Sequence, residues 1–326
     1  MNRRTVLVAG LVSMAAMGQP TAAQDRVVTI AYLDRDGDPF YAPSEGYGGI
    51  YGKVRESAVA GAQLAVKDAK ILERALKTRF ALVHRTLAEG QSIATVLNQL
   101  DEAERPAATI VDLPVEEVEA AARVASMPLF NIRHRETELR ATTCKSRLFH
   151  TIPSEAMLQD SLAQHLRASN YSDVLIIDSE APGDQAISKA FQASAEKFGL
   201  NIVDIRRFSH GNDPRQRELN NVRLLTGGFD YDAVFIADAT REFARFVPYR
   251  TYLPRPVVGS VGLVPRAWHP LWERHGAPQL NRRFFRFANR LMSDEDWAAW
   301  VAVGAAIKAW TGAGPPLDQA LLRQDL

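Results

Sequence analysis

The chain has 326 residues, of which 46% are hydrophobic and 24% charged, a globular composition with room for two domains of ordinary size. Lys and Arg number 39 against 38 Asp and Glu, so no global basic field points to nucleic acid, and any anion site has to be local. The single cysteine, Cys144, cannot form an internal disulfide. With no Cys-His-Asp pattern beside it, it reads as a structural residue.

In chain order, the first element is a leader. Arg3 and Arg4 form a short positive start, Thr5 to Gly18 is apolar and uncharged, and Thr21-Ala22-Ala23 supplies the small residues of a cleavage site. This is the layout of a secretory signal peptide over residues 1–23, and its apolar run is shorter than the roughly 20 residues a membrane span needs. Beyond it, short β-rich runs alternate with amphipathic stretches. The runs are Val27–Leu33, Phe80–His84, Ala107–Leu113, Pro128–Ile132, Asp173–Asp178, Asn201–Phe208, Tyr231–Ala237 and Pro256–Ser260. Helical spacing marks Ala58, Ala62, Ala65, Val66 and Ala69, then Val115, Val118, Ala122 and Ala125, and later Ile187, Ala190, Phe191, Ala195 and Phe198. Ser154 is placed to cap a helix through Met157, Leu158, Leu162 and Leu166. Such alternation predicts parallel sheets with helices on both faces. Val174-Leu175-Ile176-Ile177 lacks a polar alternate, as in strands buried on both sides.

From Trp268 to Trp310 the pattern is almost wholly helical, without a strand to accompany it. Two doubly wound α/β lobes are therefore expected, with the chain crossing between them more than once. The first lobe is read as 24–145 plus 262–312 and the second as 146–261 plus 313–326. The ligand site of such sheets lies at the C-terminal ends of the strands.

Several local stretches carry a resemblance. Gly61-Ala62-Gln63-Leu64-Ala65-Val66, Phe149-His150-Thr151-Ile152-Pro153-Ser154 and Pro256-Val257-Val258-Gly259-Ser260-Val261-Gly262-Leu263 resemble the first helix and two crossovers of the type I, leucine-binding-like solute receptors of ABC transporters. A narrower resemblance rests on Gly211-Asn212-Asp213-Pro214-Arg215, Asp230 to Asp238, Pro248-Tyr249-Arg250-Thr251, Ala267-Trp268-His269, Trp272-Glu273-Arg274, Gly276 to Asn281 and Asp296 to Trp300. These look like the receptors associated with pyrroloquinoline quinone (PQQ)-dependent alcohol oxidation. The resemblance implies a type I periplasmic-binding-protein fold with two Rossmann-like lobes and a hinge. It also implies a periplasmic monomer working with an inner-membrane permease, and a ligand that is PQQ or a substrate of the pathway. An amino acid, or a sensing role instead of transport, stays open. The resembling proteins continue into a further strand segment, so the second lobe is expected to be short at its C-terminus here.

The informative triplet is Arg133-His134-Arg135, which follows the run Pro128–Ile132 and so sits at a strand's C-terminal end. Amino-acid-binding relatives are expected to carry small Ser, Thr or Gly residues there. Two guanidiniums instead match a bulkier polyanion, because each can grip a carboxylate bidentately; a solvated basic loop is the competing reading. Asp34, Asp36, Asp38 and Glu45 fall at four ligand positions of a calcium loop, but Pro39 stands where the turn needs Gly. This segment is better read as a cleft-edge loop whose aspartates make turns, with Phe40, Tyr41, Tyr47 and Tyr51 as a candidate flap and Tyr47 as a ligand contact. Asp184 and Asp238, with Arg241, follow second-lobe strands. Arg241 is placed for a carboxylate, while the two aspartates are either ligand contacts or caps. Trp268 is the candidate for stacking on a planar ring; Trp297, Trp300 and Trp310 are read as core. His269, Glu273 and His275 match no zinc spacing. No nucleophile elbow, phosphate loop, H-E-x-x-H or dinucleotide fingerprint occurs, so neither catalysis nor a catalytic cofactor is expected.

Overall fold

The computed structural model describes residues 26–42, 55–142, 147–210 and 218–313. The leader, Tyr47, Tyr51, Glu45, Cys144, Gly211–Arg215 and the C-terminal segment lie outside the described residues.

Five parallel strands form the first sheet in the order β2-β1-β3-β4-β5. They are β1 (Arg26–Arg35), β2 (Thr78–Leu87), β3 (Ala108–Asp112), β4 (Leu129–Asn131) and β5 (Leu148–His150). A second parallel sheet has the order β7-β6-β8-β9, from β6 (Asp173–Asp178), β7 (Asn201–Arg207), β8 (Ala233–Ile236) and β9 (Val257–Gly259). All eight expected runs are strands. The ninth, β5, falls in the stretch that resembles a crossover, and it extends the first sheet to His150, past the expected boundary at 145. Its three residues include the half-buried Phe149 and His150, whereas the equally short β4 and β9 are buried throughout.

Strand periodicity explains the layers. In β1, Val28, Ile30 and Tyr32 enter one core with Ala62, Ile110, Phe130, Ala302 and Val303. Their neighbours Ala31 and Leu33 enter another with Leu97, Val111, Val118 and Leu129. Alternate residues thus feed opposite faces of one sheet, which is why these strands are apolar throughout. The second sheet repeats the arrangement, with Val174, Ile176 and Phe235 on one face and Leu175, Ile177 and Ile236 on the other.

The first lobe's helices are α1 (Val59–Asp68), α2 (Lys70–Leu76), α3 (Ile93–Ala103), α4 (Val115–Val124) and α5 (Thr137–Thr142); the second lobe carries α6 (Glu155–Ala168), α7 (Pro182–Phe198) and α8 (Val222–Leu225). Ser154 caps α6, its Oγ accepting from the Met157 amide at 3.2 Å. The stretch expected to be helical from Trp268 to Trp310 resolves into α9 (Ala277–Ala288) and α10 (Asp294–Ala313). Residues 268–276 are turns, where Pro270 and the left-handed Gly276 (φ 79°) interrupt the helical path. Helix α10 packs on α1 and gives Ala298, Ala302, Val303 and Trp310 to the first lobe's core. Gly61 makes the contact close: a Cβ there would lie 2.0 Å from the Asp296 carbonyl oxygen. Gly262 follows β9 at φ 72°, where a Cβ would lie 2.0 Å from the Val257 oxygen. Among the described residues, no helix is long and apolar enough to cross a membrane.

Candidate functional site

The C-terminal ends of both sheets and the segments that cross between the lobes enclose a cavity of about 970 Å³. The first lobe contributes Phe40, Tyr41, Arg55, Glu56 and Arg133 to Glu136, and the second contributes Ala239, Thr240 and Arg241. Arg266, Trp268, Pro270 and the stretch from Arg290 to Glu295 complete the wall. Of the residues anticipated from sequence, Arg133, His134, Arg135, Arg241 and Trp268 therefore meet in one place. Tyr47 lies outside the described residues.

The basic triplet reaches this cavity, but its charges are already engaged. Arg133 is buried and donates to Asp38 Oδ2 at 2.7 Å and to Asp112 Oδ1 at 3.3 Å, with its guanidinium 4.6 Å from the centre of the Phe40 ring. Asp112 also accepts from Tyr32 Oη at 2.6 Å and from Tyr41 Oη. Burial pushes the Asp112 carboxyl above its ordinary value; these two hydroxyls and the Arg133 charge oppose that shift. Asp38 accepts the Phe40 amide through its other oxygen at 2.9 Å, which is the turn role expected of that loop. Arg135 donates to Asp294 at 2.9 Å and to the Pro153 carbonyl at 3.3 Å, tying the first crossover to the start of α10. His134 Nε2 lies 2.6 Å from the Leu113 carbonyl.

Asn131, which the sequence reading passed over, organises the triplet. Its Oδ1 accepts the amides of Arg133 and His134, and its Nδ2 donates to the His134 carbonyl and to His150 Nδ1 at 2.9 Å. Desolvation, then the charge of Arg140, lowers the His150 pKa to about 4. The imidazole is thus neutral at pH 7, with a lone pair to accept that bond. A polar residue closing an apolar strand at a sheet's C-terminal edge was the available signal.

Asp184 and Asp238 do not line the cavity, which corrects their reading as ligand contacts. Asp238 is fully buried, and both its oxygens are taken: Oδ1 by Thr240 N, Thr240 Oγ1 and Arg241 N, Oδ2 by Ala244 N. Asp184 accepts Ala239 N at 2.7 Å and Ser179 Oγ at 2.5 Å, and lies 2.7 Å from His210 Nε2. Potential metal-ligating atoms of Asp184, His210 and Asp238 fall within 4.8 Å of one another, but every carboxylate oxygen in the group already accepts a proton donor. The two aspartates hold the loop that carries Arg241, whose backbone is left-handed (φ 62°).

Arg241 lines the cavity without an ion pair among the described residues, although the charges of Asp294 and Asp238 partly offset its own. It is exposed at the cleft, and its pKa is held below the arginine norm by desolvation first and then by the guanidiniums of Arg266 and Arg55. Trp268 lines the cavity but stacks on Trp297 at 5.9 Å between centroids and donates to Asn281 at 3.0 Å, so one of its faces is occupied. Trp310 is core and packs edge-on against Phe80, and Trp300 donates to Asp68.

Two parallel lobes, crossovers between them and a cavity at the strand ends make this a type I periplasmic-binding-protein fold. The chain is similar in structure to an ABC-transporter substrate-binding protein from Desulfitobacterium hafniense in complex with Leu (TM-score 0.64, 14% identity, 92% of this chain and 88% of that one). It is similar also to a putative branched-chain amino acid ABC transporter protein from Rhodospirillum rubrum (TM-score 0.67, 14% identity, 92% and 88%). A third is a solute-binding protein from Rhodopseudomonas palustris BisB5 in complex with 3,4-dihydroxybenzoic acid (TM-score 0.54, 10% identity, 91% and 84%). No family model and no curated protein matches the sequence.

Proposed function

We propose that the chain is a periplasmic solute receptor, a monomer that captures a small anionic ligand between its lobes and presents it to an ABC permease in the inner membrane, without catalysis. The observation that carries this reading is the roughly 970 Å³ interlobe cavity, rimmed by Arg55, Arg241 and Arg266. The leader at residues 1–23 supports export, and the similar structures include transporter receptors by their printed descriptions. PQQ is the particular ligand proposed. It carries three carboxylates on a flat ring system, which matches a basic cleft with aromatic walls at Phe40, Tyr41 and Trp268.

A second reading, an amino-acid receptor, is favoured by the Leu complex of the similar Desulfitobacterium protein. It requires a partner for an ammonium group. Glu295, an acid on this cavity that makes no ion pair among the described residues, is the candidate, but a net-neutral ligand would leave the surplus of arginine charge uncompensated. A thermal-shift series separates the two, since a ligand bound by the folded state raises its melting temperature by mass action. PQQ is expected to raise it and leucine to leave it unchanged. Stabilisation by leucine with no effect of PQQ would transfer the assignment to the amino-acid class.

A further inference from the structure

We infer that Arg55, Arg241 and Arg266 together form an anion subsite that spans both lobes and the crossover, and that it takes a small organic polycarboxylate. This deepens the receptor reading and rests on it. The charge inventory of the cavity singles out these three. Arg133 is neutralised by Asp38 and Asp112, and Arg135 by Asp294. Arg290 is held by Glu56 at 2.9 Å and by Asp296, and His134 lies 3.6 Å from Glu136. Arg55, Arg241 and Arg266 remain without a carboxylate partner among the described residues, facing the same cavity. Among the described residues, Arg55 donates to the Phe40 carbonyl at 3.4 Å and lies 4.4 Å over that ring.

Their positions matter as much as their charge. Arg55 precedes α1 in the first lobe, Arg241 follows β8 in the second, and Arg266 lies on the crossover segment between β9 and α9. Three like charges converging from the two lobes and the crossover repel, and an anion with several carboxylates relieves that repulsion by bonding to more than one of them. The Arg241 loop is preorganised for this: Asp238 fixes its backbone from within, and Asp184 fixes the adjoining Ala239 amide. The cavity walls add Phe40, Tyr41, Trp268 and Met292. An inorganic ion would fill a small part of such a space, whereas an organic ring with peripheral carboxylates meets both the walls and the arginines.

The test is calorimetric titration of the full chain and of Arg55→Ala, Arg241→Ala and Arg266→Ala, with Arg79→Ala, at an exposed position of β2, as control. The probes are PQQ, benzene-1,3,5-tricarboxylate, benzoate and inorganic phosphate. Because the three arginines are exposed and unpaired, the variants are expected to melt with the parent. Each is expected to weaken PQQ binding about tenfold to a hundredfold, the range of one lost charge-assisted bond, and Arg241→Lys to recover part of the loss. Arg79→Ala should bind as the parent does, and benzoate and phosphate should bind far more weakly than either tricarboxylate. If the parent binds PQQ and all three variants bind it equally well, the subsite is wrong and the receptor reading survives. If only the tricarboxylate binds, with the same arginine dependence, the subsite stands and PQQ falls. Binding of phosphate as tight as that of the tricarboxylate overturns the organic class. No saturable binding of either tricarboxylate to the parent removes both the subsite and the anion-receptor reading.

Discussion

Arg133 and Arg241 are both arginines at strand ends on one cavity, and burial makes their roles opposite. Arg133 lies between two buried carboxylates, so truncating it strands Asp38 and Asp112 without a counter-charge. Breaking a buried pair in this way costs about 3–5 kcal/mol. Arg133→Ala is therefore expected to lose stability on that scale in urea unfolding followed by circular dichroism; a loss under about 1 kcal/mol would show the network to be solvated and the triplet free after all. The position of the triplet was legible in the sequence, because a residue just past an apolar run has to lie at the strand's end. Its partners were not: Asp38 is 95 residues away and Asp112 is 21, and only the fold brings them together. For the same reason Arg55 and Arg266 went unremarked. Each is one arginine among many until a cavity shows which of them lack an acid.

Among elements, the contact of α1 with the start of α10 joins the last described helix to the first lobe. A methyl at Gly61 would need Asp296's backbone to retreat from 2.0 Å, and overpacking of this kind costs about 1–3 kcal/mol. The helix-propensity gain of Gly to Ala is roughly 1 kcal/mol, so the steric cost is expected to win and Gly61→Ala to destabilise. Gly304, inside α10 with open space around its Cα, is the control, where Ala should stabilise by up to about 1 kcal/mol. Matched denaturant curves check both signs; stabilisation at Gly61 would mean the two helices are not in close contact. Runs such as those of β3, β6 and β8 were readable because buried parallel strands are nearly continuously apolar. The half-buried β5 was not, and the turns at 268–276 fall inside a stretch that reads as almost wholly helical, although Trp268 stacks on Trp297 from outside any helix.

For the whole molecule, the chain's path accounts for the site. Two sheets present their C-terminal edges to one cavity, and α9 and α10 return to the first lobe after the second is built. Lobes joined by crossovers are suited to hinge closure around a ligand, and arginines on both lobes and the crossover give a polyanion the means to draw them together. Small-angle X-ray scattering of the chain, alone and with PQQ at saturation established by titration, tests this most directly. The account predicts a smaller radius of gyration with PQQ and an unchanged one with leucine; a curve that PQQ leaves unaltered at proven saturation would contradict it.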